Sequence, residues 1–290
     1  MFPFSVLLLL SLFSLIFQKM DEMTRLFSPS CWVPGKTRDE VMIDFFAGIQ
    51  QAYDSLDKDQ TIPRQVDLVY GQEENQKVDI WGEPDDKLLI FIHGGYWAAG
   101  TRKDCLTPAR CSLNSGFAFA SVGYGLATNG RSLTESVEDV IEGVDFILSK
   151  YPNVSKVIIG GHSAGAHLVV KAVTRIRNPR IQGMLLFSGC YFLEELVGTD
   201  IGNDINLTSA QAQHNSCDLS LLDGLQLKSL VILGLQEAPK LVQQNRDFVE
   251  KRKESSIAEF PSSGHYTIMT NLLNEQSDEY SAVMSFLEKI

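Results

Sequence analysis

Apolar residues fall along this chain in short runs closed by glycine or polar turns. Eight of these runs read as strands: VDLVYG (66–71), QKVDIWG (76–82), KLLIFIHGG (87–95), FAFASVGYG (117–125), KVIIGGHS (156–163), IQGMLLFSG (181–189), KSLVILGLQ (228–236) and IAEFPSS (257–263). The first two alternate as a half-exposed hairpin does, whereas KLLIFI, VIIG and LVILG are continuously apolar, as parallel strands covered on both faces must be. Between several runs the period changes to that of a helix. From Thr134 to Tyr151, residues Val137, Val140, Ile141, Val144, Ile147 and Leu148 recur on one face, and Ser132 with Glu135 forms a capping box at the start. This alternation predicts an α/β fold with a doubly wound, mostly parallel, eight-stranded sheet and helices on both faces.

In such sheets ligands bind beyond the carboxyl ends of the strands, so the chemistry is expected at the turns there. The stretch from Lys156 to Val173 runs as a strand, then Gly161-His162-Ser163-Ala164-Gly165, then a helix. This is G-x-S-x-G in the setting the motif requires. A turn so tight strains the serine backbone, leaves no space for side chains at 161 and 165, and lifts the hydroxyl clear of the sheet at a helix N-terminus. Ser163 is the expected nucleophile. The run KLLIFI closes on His93-Gly94-Gly95-Tyr96-Trp97. Glycine lets backbone N–H groups approach a carbonyl oxygen, and Gly94, Gly95 and Ala164 are the expected oxyanion-hole donors. His93 braces that loop in this reading, because it precedes the nucleophile and triads of this type run Ser, acid, His.

Of the histidines, only His214 and His265 follow Ser163 at a distance. His214 sits in polar sequence with no strand before it, whereas His265 ends the run at 257–263, so His265 is the expected base. His162 and His167 are five apart, which is not the i,i+4 spacing of two metal ligands on one helix face, and no metal site is expected. His167 reads as a packing residue. The acid should follow KSLVILGLQ, where Glu237 is the carboxylate at hand and Asp247 is the alternative.

The length of 290 residues suits one compact α/β unit, and no repeat or linker marks a second, so a single catalytic domain is expected over 24–290. A net charge of -11 disfavours nucleic acid and anionic membrane surfaces, leaving small molecules as the expected partners. Five cysteines, odd in number and without a CxxC pair, fit free thiols in a reducing compartment. Against that stands an apolar run over residues 2–17, which resembles a signal core or short anchor but lacks a basic start and a small-residue cleavage site, and precedes Met20 and Met23. Residues 1–19 are read as a leader, an anchor or a mistaken start. A cytoplasmic protein is expected, with secretion or membrane anchoring through 1–19 as the alternative. Sequons at Asn153 and Asn206 become acceptors only on that second route.

HGGYW, GHSAGAHL and the segment SGCYFL from Ser188 together resemble the kynurenine formamidase (arylformamidase) branch of the α/β-hydrolases. LFSPSCW near the N-terminus, TDIGNDINLTSAQA and GLQEAPKLVQQNRDF extend the resemblance from about Leu26 to the C-terminus. It implies hydrolysis of N-formyl-L-kynurenine to L-kynurenine and formate without a cofactor, as a step of tryptophan breakdown. It further implies an aromatic leaving group, for which Tyr96, Trp97, Tyr191 or Phe192 would form the wall. Two features depart from the family: it places Asp where this chain has Glu237, and it is cytosolic without an apolar leader. A carboxylesterase acting on short acyl or aryl esters is the alternative, since the same apparatus cleaves both bonds, and a catalytically silent binding protein on the same fold stands behind it. A homodimer is left open.

Overall fold

The computed structural model describes residues 20–290. The apolar run over 1–19, and the leader or anchor read from it, lies outside the described residues. All eight expected strands form: β1 (Arg64–Val69), β2 (Lys77–Trp81), β3 (Lys87–Ile92), β4 (Ala118–Val122), β5 (Lys156–His162), β6 (Ile181–Phe187), β7 (Lys228–Gln236) and β8 (Ser255–Gly264). They make one sheet in the order β1-β2-β4-β3-β5-β6-β7-β8, with β2 antiparallel to both its neighbours and every other pairing parallel. The hairpin expected at the start is β1-β2, bulged near Asp67, whose amide donates to Asp79 Oδ1 at 2.6 Å.

Among the described residues, five helices reach ten residues or more: α1 (Arg38–Lys58), α2 (Leu133–Lys150), α3 (Ala164–Ile176), α4 (Pro239–Lys251) and α5 (Asp278–Leu287). The capping box expected at Ser132 and Glu135 starts α2.

The pleat of the central strands sorts the core into two layers. Leu88, Ile90 and Ile92 of β3, with Val157 and Ile159 of β5, face α2, α3 and α4. Leu89 and Phe91, with Ile158, face α1 and α5 on the other side. Successive side chains of a strand point to opposite faces, so only a strand apolar at every position can serve two helical layers at once. That is why β3, β5 and β7 read as unbroken apolar runs. Because β3 to β8 are parallel, their carboxyl ends lie along one edge, where residues 93, 163, 237 and 265 emerge.

Candidate active site

β5 ends at His162, and the next residue turns the chain into α3 with φ 57° and ψ -122° at Ser163. A non-glycine residue held there costs on the order of 1–3 kcal/mol, which its surroundings must offset. The Ser163 amide donates to the Phe187 carbonyl of β6 at 2.8 Å, and two glycines make the turn possible. A Cβ on Gly161 would lie 2.5 Å from the backbone of Gly165, and one on Gly165 would lie 2.2 Å from the Ile92 carbonyl oxygen. The Ser163 side chain caps nothing at the helix start, so its hydroxyl stays free toward the cavity it lines.

The loop after β3 lies directly against this turn, since a Cβ on Gly94 would meet the His162 carbonyl oxygen at 2.8 Å and Ser163 Cβ at 3.0 Å. Gly95 has φ 107°, and Tyr96 and Trp97 follow at 48° and 59°. Two consecutive left-handed side-chain residues need anchors. Tyr96 Oη donates to the Phe27 carbonyl at 2.6 Å, Trp97 Nε1 donates to His167 Nδ1 at 3.2 Å, and the Trp97 carbonyl accepts from Ala127 at 2.7 Å. The Ala98 and Ala99 amides close the turn on the Gly95 carbonyl. Gly94 and Gly95 line the same cavity as Ser163, and the Ala164 amide opens α3, where a first-turn N–H has no intrahelical acceptor.

His167 is the packing residue the sequence suggested. Its Nδ1 accepts from Trp97, so Nε2 carries the proton and donates to the Asn215 carbonyl at 2.7 Å. Burial holds its pKa down to about 3.

His265 follows β8 and Glu237 follows β7, adjacent parallel strands whose ends bring the two together. His265 Nδ1 lies 2.5 Å from Glu237 Oε2, and both residues are 3% exposed. Glu237 Oε1 accepts from the Ala238 amide at 2.7 Å. With Nδ1 donating to a carboxylate, Nε2 is the free basic position of the ring. Asp247 lies mid-helix in α4, and Glu237 is the carboxylate bonded to His265. His162 completes this corner: its Nε2 donates to the His265 carbonyl at 2.9 Å, and the two rings sit 4.5 Å apart. Burial, with the neighbouring His265, keeps His162 neutral by pushing its pKa well below 6.5.

Ser163, His265, Gly94 and Gly95 line one cavity of about 180 Å³. An apolar cavity of roughly 150 Å³ accommodates benzene, so this one suits a single ring with small substituents. Its wall corrects part of the aromatic assignment. Tyr96 lines it, but Trp97 and Tyr191 have no exposed surface and belong to the core. The left-handed backbone at 97 turns the indole inward to His167, and Tyr191 packs 4.6 Å from Phe248 of α4. Phe192 lies under Lys251, away from the cavity. The wall is supplied instead by Met42, Phe45 and Phe46 of α1 and by Tyr266 and Met269 after β8. The pair Phe45-Phe46 in a helix whose outer face also exposes Ile43 was the available signal, for these apolar residues exceed what the core-facing stripe needs.

The BD-FAE family model matches residues 80–187, which hold both the glycine loop and the serine turn. The chain is 26% identical over 274 residues to the kynurenine formamidase of Danio rerio, covering 88% of this chain and 92% of that one, and the same figures hold for the kynurenine formamidase of Salmo salar. The solved structure of a putative thioesterase from Silicibacter sp. superposes with a TM-score of 0.75 at 22% identity, over 91% of this chain and 99% of that one. An esterase of the bacterial hormone-sensitive lipase family superposes at 0.65 with 19% identity, over 93% and 97%. This chain is a hydrolase of the α/β-hydrolase fold, similar over most of its length to kynurenine formamidases. In this hydrolase the matched region supplies the serine turn, the glycine loop and Tyr96, while the Glu237–His265 pair and the wall residues Phe45, Phe46 and Tyr266 come from outside it. Among the described residues, no helix is long and apolar enough to cross a membrane.

Proposed function

We propose that the hydrolase cleaves N-formyl-L-kynurenine to L-kynurenine and formate by a serine mechanism, with Ser163 as nucleophile, His265 as base and Glu237 as the orienting acid. The observation that carries this reading is the convergence, at one cavity, of a strained serine, a buried histidine–carboxylate pair and a glycine loop, in a chain similar over most of its length to kynurenine formamidases.

His265 Nε2 takes the proton of Ser163 as its oxygen attacks the formyl carbon, and the amides of Gly94, Gly95 and Ala164 hold the tetrahedral oxyanion. Glu237 keeps the imidazole in the tautomer with Nδ1 protonated and stabilises the imidazolium. His265 then protonates the departing aryl amine nitrogen as the C–N bond breaks. Water, deprotonated by His265, attacks the formyl ester, and formate leaves as the proton returns to Ser163. The formyl group needs almost no space, so the cavity volume serves the aromatic amine.

The test is turnover of N-formyl-L-kynurenine set against a p-nitrophenyl ester, with Ser163→Ala beside the parent. Formamide turnover that disappears in Ser163→Ala supports the reading. Turnover of the ester alone would replace the formamide with an ester substrate, and turnover surviving in Ser163→Ala would end the serine mechanism.

A further inference from the structure

The polar groups around the cavity are unbalanced in a way the hydrolytic steps leave unused. His93 is 1% exposed and stacked on Tyr124 at 4.2 Å. Its Nδ1 lies 2.8 Å from the Gly94 carbonyl oxygen, which only accepts, so Nδ1 must carry the ring proton and Nε2 must be an acceptor. Among the described residues, Nε2 is buried with no hydrogen-bond partner. Burial also lowers the pKa of this imidazole to about 4, so it is neutral at pH 7 and its lone pair is available. Asp104 lines the same cavity and is close enough for its charge to act on His93. One of its oxygens caps Thr101, and among the described residues the carboxylate has no ion-pair partner. Two other polar groups of the wall are already engaged, Tyr96 Oη with the Phe27 carbonyl and His162 Nε2 with the His265 carbonyl. Among the described residues, the lining contains no lysine or arginine.

We infer that Asp104 and His93 Nε2 form a subsite for a primary ammonium group carried by an aromatic substrate. Both are acceptors, and a buried acceptor left unmatched costs free energy that a donor recovers. An ammonium supplies three donors and the charge that Asp104 lacks. The aromatic faces of Phe45, Tyr96 and Tyr266 take the ring to which it is attached. The substrate proposed above carries one ammonium and one carboxylate. The wall has acceptors for the first and no cation for the second, so the cavity recognises the amine and leaves the carboxylate to solvent.

The subsite rests on the reading of this cavity as the substrate pocket, and it is tested without turnover. Binding of 2-phenylethylammonium, 2-phenylethanol and phenylalanine to folded Ser163→Ala is measured by calorimetry at pH 7, then repeated in Ser163→Ala/Asp104→Asn. The amine should bind about tenfold or more tightly than the alcohol, as expected of a charge-assisted hydrogen bond, and at least as tightly as phenylalanine. Asp104→Asn, which retains a side-chain cap for Thr101, should bring amine and alcohol to within about twofold of one another. Equal affinities in the parent, binding of neither ligand, or a preference that survives Asp104→Asn would each overturn the subsite, the first meaning that water alone satisfies His93 Nε2. Failure of the unsubstituted chain, with Ser163 intact, to hydrolyse N-formyl-L-kynurenine is a separate result that bears on the proposed reaction.

Discussion

Glu237 reaches His265 although it is one methylene longer than the aspartate its family resemblance would place there, and the contact of 2.5 Å shows that β7 and β8 are spaced to admit it. The proposed role makes Glu237→Gln costly: the amide cannot stabilise an imidazolium and can present its NH₂ to Nδ1, favouring the wrong tautomer. A fall in kcat on the order of 10³- to 10⁴-fold is expected, with Asp247→Asn within about twofold of the parent since Asp247 lies along α4 and not at the histidine. Steady-state kinetics of the two variants decide between the carboxylates, and equal losses would remove Glu237 from the role. Trp97 offers a second prediction. Its indole N–H is what ties a left-handed residue to His167, so Trp97→Phe keeps the apolar contact, loses the hydrogen bond and leaves His167 Nδ1 unpaired in the core. A loss of about 1–3 kcal/mol in denaturant unfolding is expected. A fall in kcat larger than any rise in KM should accompany it, because the Gly94 and Gly95 amides loosen where the oxyanion would form.

At the scale of elements, the serine turn is a backbone packing problem between β3, β5 and α3. Gly165→Ala would put a methyl group 2.2 Å from the Ile92 carbonyl oxygen and 2.6 Å from that of His93, and neither is a flexible side-chain tip that could move aside. The start of α3 would have to shift away from β3, so stability should fall by several kcal/mol, measured by urea unfolding; a loss under about 0.5 kcal/mol would show that the close approach is not required. The same packing explains what was legible. Unbroken apolar runs at β3, β5 and β7 announce strands covered twice, and the residues just beyond strand ends follow from them, so Ser163, Glu237 and His265 could be placed from sequence. The wall of the cavity could not. Tyr96, Trp97 and Tyr191 neighbour motif residues, but neighbourhood along the chain does not give direction: Tyr96 and Trp97 share a left-handed backbone, yet the indole is buried in the core while Tyr96 stays at the cavity. Much of the wall comes instead from Met42, Phe45 and Phe46 of α1, more than a hundred positions before Ser163, and only tertiary packing brings Phe45 within 6.2 Å of His162.

For the whole molecule, the buried histidines set how stability responds to acid. His93 and His167 have pKa values pushed by burial down to about 4 and about 3, and His162 is pushed well below its ordinary 6.5, each chiefly by desolvation. In the unfolded chain all three titrate near 6.5. Below that pH the unfolded state takes up protons that the folded state refuses, so the stability these neutral imidazoles contribute is complete above pH 6.5. It declines as pH falls toward their folded values. The slope is about 1.4 kcal/mol per pH unit for each such group, so His167 alone accounts for up to about 2 kcal/mol between pH 6.5 and 5. Urea unfolding at pH 7.5, 6.5, 5.5 and 5.0 should show a plateau at the top and a progressive loss below. Replacing His167 by Gln, whose amide can still meet Trp97 Nε1 or the Asn215 carbonyl, should lower stability at pH 7.5 yet flatten the decline by about one proton's slope. A decline of unchanged steepness in His167→Gln would assign the acid sensitivity to other groups. Because His93 and His162 line the same cavity as Ser163 and His265, a loss of activity at low pH must be separated from unfolding. Measuring kcat/KM at a temperature where the chain remains folded at every pH does so.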